Sequence, residues 1–353
     1  MKLSHLTLTS FRNIRQLDMP ISSHGFTIIH GKNGSGKTSI LEAIYLMSCG
    51  KSFRAPHLSQ LTNMDAENFL IRLALGETSA GLSRNKESGE VSIKINQESG
   101  SFTDLAQLLP VRMISPVDTV NLVLGGPEKR RSFLDWGLFH VKHDYWRVVK
   151  QLNKIIKQKN AALKGRCSQE ELLEWNKQMA KTSIEIDTLR TTYFSSWAEG
   201  YYTLMQNREL YKNITFSYYS GWDSKESLLD LLSCTAQRER DAGHCLLGPQ
   251  RADMHIYSQG TEIKELFSRG QQKLLAIAMF LSQGELLSQS MGRHPLYLID
   301  DFTSELDQAS QALLLELLSV GDKQTVITAL DLEHPALKTI AQESNCVFEI
   351  VDG

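Results

Sequence analysis

Residues 31–38 read Gly-Lys-Asn-Gly-Ser-Gly-Lys-Thr and fit G-x-x-x-x-G-K-[ST]; no other stretch of the chain restricts its fold as tightly. Glycines at 31, 34 and 36 allow backbone N–H groups to turn inward around a phosphate, and a following helix adds partial positive charge. The flanks agree with that use. Phe26 to Ile29 form a short apolar run of strand type, and Ile40, Leu41, Ile44, Tyr45 and Met47 recur at helical spacing. Gly31, Lys32, Asn33, Gly34, Ser35, Gly36, Lys37, Thr38 and Ser39 are therefore expected to cradle ATP. Lys37 would reach the β and γ oxygens, and the Thr38 hydroxyl would be a ligand to Mg2+.

Far downstream, Leu296-Tyr297-Leu298-Ile299 is an apolar strand ending in Asp300 and Asp301. Alone, such a pair is also the grammar of a solvated strand end. Paired with the phosphate loop it reads as a Walker B strand, with Asp300 in the metal's coordination sphere and Asp301 facing the attacking water. Asp301 and Lys37 are the expected catalytic residues. Phe267-Ser268-Arg269-Gly270-Gln271-Gln272-Lys273 precedes an apolar helix about 30 residues before Asp300. Alone, Ser268, Gly270 and Gln271 read as a plain N-cap; at this place between the Walker elements they read as an ABC-type signature, in which a helix start binds the γ-phosphate held by another subunit. Glu305-Leu306-Asp307 would then be a D-loop-like segment along a dimer interface. No second phosphate loop occurs in the chain, so the partner that completes the site is most simply a second copy.

The rest of the pattern predicts an α/β protein: an ABC-type P-loop ATPase head over 1–117 and 243–353, with an inserted, mainly α-helical second lobe over 118–242. Alternating Leu6, Leu8 and Ser10 predict a strand. Phe69 to Leu75 and Val91 to Ile95 predict a hairpin around a polar stretch holding Gly81, Arg84, Asn85 and Gly89. Long helical spacing runs through Val149, Leu152, Ile156 and Leu163, then Leu172, Trp175, Met179, Ile186 and Leu189. Leu274 to Leu281 read as helix, and Thr325 to Thr328 and Val347 to Val351 as strands.

With 38 basic and 40 acidic residues the formal net charge is only −2, so any nucleic-acid contact must be local. Residues 142–166 hold eight Lys or Arg and a single acid, Asp144. Arg147, Lys150, Lys154 and Lys157 fall on one helical face, where they would meet duplex phosphates without reading sequence, or simply be a solvated face. Lys129, Arg130 and Arg131 form a second cluster, equally suited to pairing with carboxylates inside the helical lobe. The five scattered cysteines show no Cys-x-x-Cys spacing and are expected to be reduced thiols. No apolar run approaches the roughly 18–20 residues that cross a bilayer, so the expectation is a cytoplasmic protein with no membrane partner.

Together the segments Thr9-Ser10-Phe11-Arg12-Asn13, Asn33 to Thr38 with Leu41-Glu42-Ala43-Ile44-Tyr45, and Lys51-Ser52-Phe53-Arg54 resemble the opening of the RecF family. The likeness continues through Ser115-Pro116, Gly126-Pro127, Arg130-Arg131-Ser132-Phe133-Leu134-Asp135, Gly248-Pro249 and Ile299-Asp300-Asp301-Phe302-Thr303-Ser304-Glu305-Leu306-Asp307. That resemblance implies an ATPase head related to the SMC group without its long coiled coil, dimerising when ATP binds. It implies action at single-strand gaps or duplex junctions, where it helps RecO and RecR load RecA in recombinational repair, replication restart and the SOS response. Slow hydrolysis would then release dimer and DNA. Arg12 and Asn13 would lie near the nucleotide, although a surface loop is the other reading. One departure stands out: Gly248-Pro249-Gln250-Arg251-Ala252-Asp253 replaces the family's usual Gly-Pro-His-Arg-Asp-Asp. The competing class is the nucleotide-binding subunit of an ABC transporter; such subunits carry a histidine where this chain has Thr328-Ala329-Leu330.

Overall fold

The computed structural model describes residues 2–302, 308–344 and 346–351. Packing divides the chain into two compact units, Met1–Thr119 with Met291–Gly353, and Val120–Ser290. The first limb carries β1 (His5–Phe11), β2 (Ile14–Pro20), β3 (Gly25–His30) and α1 (Lys37–Cys49). Next come β4 (Asn68–Leu75), β5 (Thr78–Asn85), β6 (Val91–Ile95) and β7 (Glu98–Ser99). α2 (Phe102–Leu108), started by a Ser101–Asp104 capping box, leads to β8 (Val111–Ile114).

α3 (Pro116–Leu124) runs on into the second unit, followed by α4 (Pro127–Val141), α5 (Tyr145–Lys164), α6 (Gln169–Met205) and α7 (Glu209–Lys212). After these lie β9 (Ile214–Tyr219), α8 (Leu228–Cys234), α9 (Ala236–Ala242), β10 (Asp253–Ser258), β11 (Thr261–Glu262), α10 (Ile263–Leu266) and α11 (Arg269–Met291). The chain closes the first unit with β12 (Leu296–Ile299), α12 (Gln308–Ser319), β13 (Gln324–Ala329), α13 (Pro335–Glu343) and β14 (Val347–Glu349).

The first unit holds two sheets. An all-parallel sheet has the order β14-β3-β13-β12-β8, and an antiparallel sheet the order β2-β1-β4-β5-β6-β7. Leu6, Leu8, Phe69, Ile71 and Leu82 of the antiparallel sheet join Ile40, Leu41 and Ile44 of α1 and Leu296, Leu298 and Val326 of the parallel sheet in one buried core. The central strands β12 and β13 are buried at every residue, as expected where helices or a second layer cover both faces. In a parallel sheet all C-terminal ends lie along one edge, so the loop after β3, the aspartates after β12 and the end of β13 arrive together.

Three features depart from the sequence expectation. The polar stretch between the predicted hairpin strands is itself a strand, β5, paired along its length with β4 and partly with β6; Gly81 and Ser83 hid it by breaking the β-branched pattern. The helical lobe contains a strand, β9, antiparallel to β10 from Ile214↔Ser258 to Tyr219↔Asp253. The return to the first unit falls at Met291 and not at 243. Local bonds account for that position: β10 is zipped to β9, Trp197 Nε1 donates to Met279 O at 3.2 Å, and Gln283 Nε2 donates to Phe133 O at 2.8 Å. All five cysteines are free thiols, and burial pushes the Cys245 thiol up to about 11.

Candidate nucleotide site

Residues 31–36 leave β3 and enter α1 through a loop that requires glycine at two positions. Gly31 has φ +150°, and a Cβ there would stand 2.3 Å from the Ile350 carbonyl oxygen. Gly36 has φ +109°, and its Cβ would press on Asn13 and Ile14 at 3.2 Å. A side chain at either place would push the loop apart. Lys37 curls over this loop, its Nζ donating to Gly31 O at 2.6 Å and Lys32 O at 2.8 Å.

Asn13, on the turn between β1 and β2, ties the loop from outside. Its Nδ2 donates to Gly34 O at 2.9 Å, and its Oδ1 accepts from the Ser39 hydroxyl at 3.0 Å. Arg12 is placed differently from a phosphate ligand. Its guanidinium clamps the fully buried Glu42 of α1 through bonds of 2.8 and 2.6 Å and also donates to Gln60 O. Arg12 thus lines the cavity while fixing α1.

The two Walker elements meet. Thr38 Oγ1 donates to Asp300 Oδ1 at 3.1 Å, and Thr328 Oγ1 donates to the same oxygen at 2.8 Å. Asp301 follows with φ +50°, its N–H donating to Thr328 Oγ1 at 2.9 Å. These groups border a cavity of about 630 Å3, lined by Asn33, Gly34, Gly36, Lys37, Thr38 and Ser39 on one side and Asp300, Asp301 and Thr328 on another. That volume lies within the range of small-molecule and cofactor pockets. Lys32 is exposed and Ser35 is buried; neither borders the cavity with the others.

Sequence reasoning missed part of the lining. Arg54, Gln60, Asn63 and Met64 come from the segment between α1 and β4, which has no periodicity to mark it. Arg54 belongs to the Lys51-Ser52-Phe53-Arg54 segment, and a basic residue shortly after a phosphate loop is the available signal. Thr328 was singled out only for not being a histidine.

Mg2+ is the cation this donor set suits. Among the described residues no group of three or more His, Cys, Asp or Glu could hold a metal by itself; Mg2+ needs only one or two protein oxygens, with water and phosphates for the remainder. A hydroxyl that donates to Asp300 still has lone pairs for a cation, so Thr38 and Asp300 can serve together.

In the second unit, Ser268 and Gln271 bond reciprocally at the start of α11. Ser268 N–H donates to Gln271 Oε1 at 2.9 Å, and Gln271 N–H donates to Ser268 Oγ at 3.4 Å. The cap reading of these residues is therefore realised, and the signature reading is compatible with it, since Ser268 is exposed and Gly270 partly so. Glu305, Leu306 and Asp307 lie outside the described residues. Arg147, Lys150, Lys154 and Lys157 are all exposed on α5, opposite buried Val148, Leu152 and Ile155. Arg147 also approaches Asp144 at 3.5 Å. Two members of the second cluster are used internally: Arg130 holds Asp253 at 2.7 and 2.9 Å and Arg131 donates to Ala252 O at 2.7 Å, while Lys129 is exposed. Burial pushes the Asp253 carboxyl up, but the Arg130 bonds and the Met254 N–H hold it below the usual range. Ala252, where the family pattern has an aspartate, is fully buried.

Comparison with known proteins gives a consistent pattern. The family profile described as RecF/RecN/SMC N terminal domain matches residues 2–342. The "DNA replication and repair protein RecF" of Salmonella arizonae is 37% identical over 358 residues, covering 100% of this chain and 99% of its own length. That of Mannheimia succiniciproducens is 36% identical over 361 residues, covering 100% and 98%. Among solved structures, the recombination mediator protein RecF with ATP, of the RecFOR pathway, superposes with a TM-score of 0.86 at 25% identity over 100% of this chain and 96% of that one. An SMC head bound to the C-terminal winged-helix domain of ScpA matches in fold alone, with a TM-score of 0.57 at 14% identity.

Proposed function

We propose the following for this chain, which belongs to the RecF family: it binds and hydrolyses ATP, acts on DNA in recombinational repair, and works as an ATP-gated homodimer. The observation that carries the reading is the junction of Thr38 with Asp300 at the head of a cavity floored by the glycine loop. The relatives named for DNA replication and repair, and the RecF structure solved with ATP in the RecFOR pathway, support the same reading. By that likeness the partners are RecO and RecR and the outcome is the loading of RecA at gaps or junctions. No helix among the described residues is long and apolar enough to cross a membrane.

The chain's own groups divide the work. Backbone N–H groups of residues 33–38 and the α1 N-terminus receive the phosphates, and Lys37 neutralises charge at the β and γ oxygens. Asn13 holds the loop shape through Gly34 and Ser39. Thr38 and Asp300 would hold Mg2+, which would supply neutralisation of phosphate charge. Asp301 positions the water and accepts its proton. Ser268 and Gly270 of a second copy close over the γ-phosphate, so the two chains stay together only while that phosphate is present, and hydrolysis acts as a timer for release.

On DNA, Arg147, Lys150, Lys154 and Lys157 meet backbone phosphates and release counterions, giving structure-selective, sequence-independent binding. The test is binding to a gapped duplex, with and without ATP, over a salt series. A steep salt slope that requires ATP supports both halves of the reading; ATP-independent binding with a flat slope removes the gating and the phosphate contacts together.

A further inference from the structure

The structure assigns Thr328 a positioning role in ATP hydrolysis: one buried hydroxyl sets the Asp300 carboxylate and the Asp301 backbone at the same time. The inference rests on reading the cavity as an ATP site. Thr328 is the first residue past the Ile299↔Ile327 pair of the parallel strands β12 and β13, and it is 1% exposed. Its Oγ1 bonds both as donor and as acceptor. It donates to Asp300 Oδ1 at 2.8 Å and accepts the Asp301 N–H at 2.9 Å, while the Thr328 carbonyl accepts the Phe302 N–H at 3.0 Å.

Three consecutive residues are thus fastened to one. In an uninterrupted strand Asp300 and Asp301 would point to opposite faces. Here Asp301 takes φ +50°, a left-handed conformation uncommon for a residue with a Cβ, with its N–H held by Thr328, and both aspartates line the same cavity. The Asp300 carboxylate in turn accepts from Thr38 at 3.1 Å, so Thr328 and Thr38 grip a single oxygen from two directions. Thr328 touches neither phosphate nor water in this scheme; it acts through the aspartates. A hydroxyl is required, because no apolar side chain of that shape could donate to Asp300 and accept from Asp301.

The experiment compares the wild-type chain with Thr328→Val, which keeps the shape and removes the hydroxyl, and Thr328→Ser, which restores it. Three readouts are taken: affinity for a fluorescent ATP analogue without Mg2+, the Mg2+ concentration needed for half-maximal analogue binding and turnover, and kcat. Thr328→Val is expected to lower kcat about 10- to 100-fold and to shift the Mg2+ requirement upward, with Mg2+-free affinity within about threefold of wild type. Thr328→Ser is expected to recover kcat to within about threefold. Wild-type kcat and Mg2+ dependence in Thr328→Val overturn the assignment. So does a loss of Mg2+-free affinity shared by both variants, which would mark Thr328 as packing only. A wild-type chain that does not bind the analogue at all brings down the ATP-site reading itself, and this inference with it.

Discussion

Apart from the Arg12–Glu42 pair of the first unit, the two units handle charge in opposite ways. In the helical unit cations are paired off inside: Lys159 with Glu239 at 2.7 Å, both side chains fully buried, Arg190 with Asp135 at 2.8 Å, and Arg130 with Asp253. In the nucleotide-bearing unit Lys37, Arg54, Asp300 and Asp301 are gathered around open volume. Burying an ion costs several kcal/mol unless a partner meets it, and these pairs tie α5 to α9, α4 to α6 and α4 to β10. A cavity ringed by both signs of charge instead prepares a site for an anion and a cation together. The contrast also sorts the basic residues of α5: Lys159 is buried against Glu239, while Arg147, Lys150, Lys154 and Lys157 are exposed.

The largest effect should come from breaking an internal pair. Lys159→Met leaves Glu239 buried and unmatched and is expected to cost about 3–5 kcal/mol in urea unfolding, whereas Lys159→Met with Glu239→Leu should recover most of that loss. If the single variant unfolds like wild type, the division between the units fails. Lys37→Met should do the reverse, weakening ATP binding by about 10²- to 10³-fold while costing less in unfolding, about 1–2 kcal/mol for its bonds to the Gly31 and Lys32 carbonyls. Nucleotide titration and urea curves on the same preparation read both quantities.

A smaller effect concerns pH. The Asp253 carboxyl titrates below its ordinary value in the fold, so the unfolded chain takes up its proton first as pH falls. The stability from its pair with Arg130 is complete above the usual carboxylate range and is lost as pH drops through the folded value. Wild type should therefore lose more stability between pH 7 and pH 3 than Asp253→Asn does; equal losses would show that the pair contributes nothing. The smallest effect on the fold, under about 0.5 kcal/mol, is expected from replacing Arg147, Lys150, Lys154 and Lys157 by Gln. Its signature is a salt slope for DNA shallower by up to about 0.9 per phosphate contact removed.

The phosphate loop was legible because all its determinants are contiguous and their flanks state strand and helix. The Walker B strand was legible in company, since two aspartates after Ile299 acquire meaning only beside a loop that needs a metal. Gln60, Asn63 and Met64 were not legible, because loop residues carry no period and reach the cavity by tertiary packing. Lys159 could have been found: it lies seven residues after Leu152 and four before Leu163, on the apolar face of α5, where a lysine requires a buried partner. The Thr328 bonds depend on the register of β12 against β13, which a single sequence does not state.

The claim on which the functional reading turns is that ATP bridges two copies of the chain, one offering Lys37 and the other Ser268 and Gly270. Light scattering of Asp301→Asn at saturating Mg2+ and ATP tests it most directly, because that variant keeps the nucleotide sites and loses the step that resets them. A mass of twice the chain, returning to one chain when ATP is replaced by ADP, is the predicted result. A variant that binds ATP and still scatters as a single chain contradicts it.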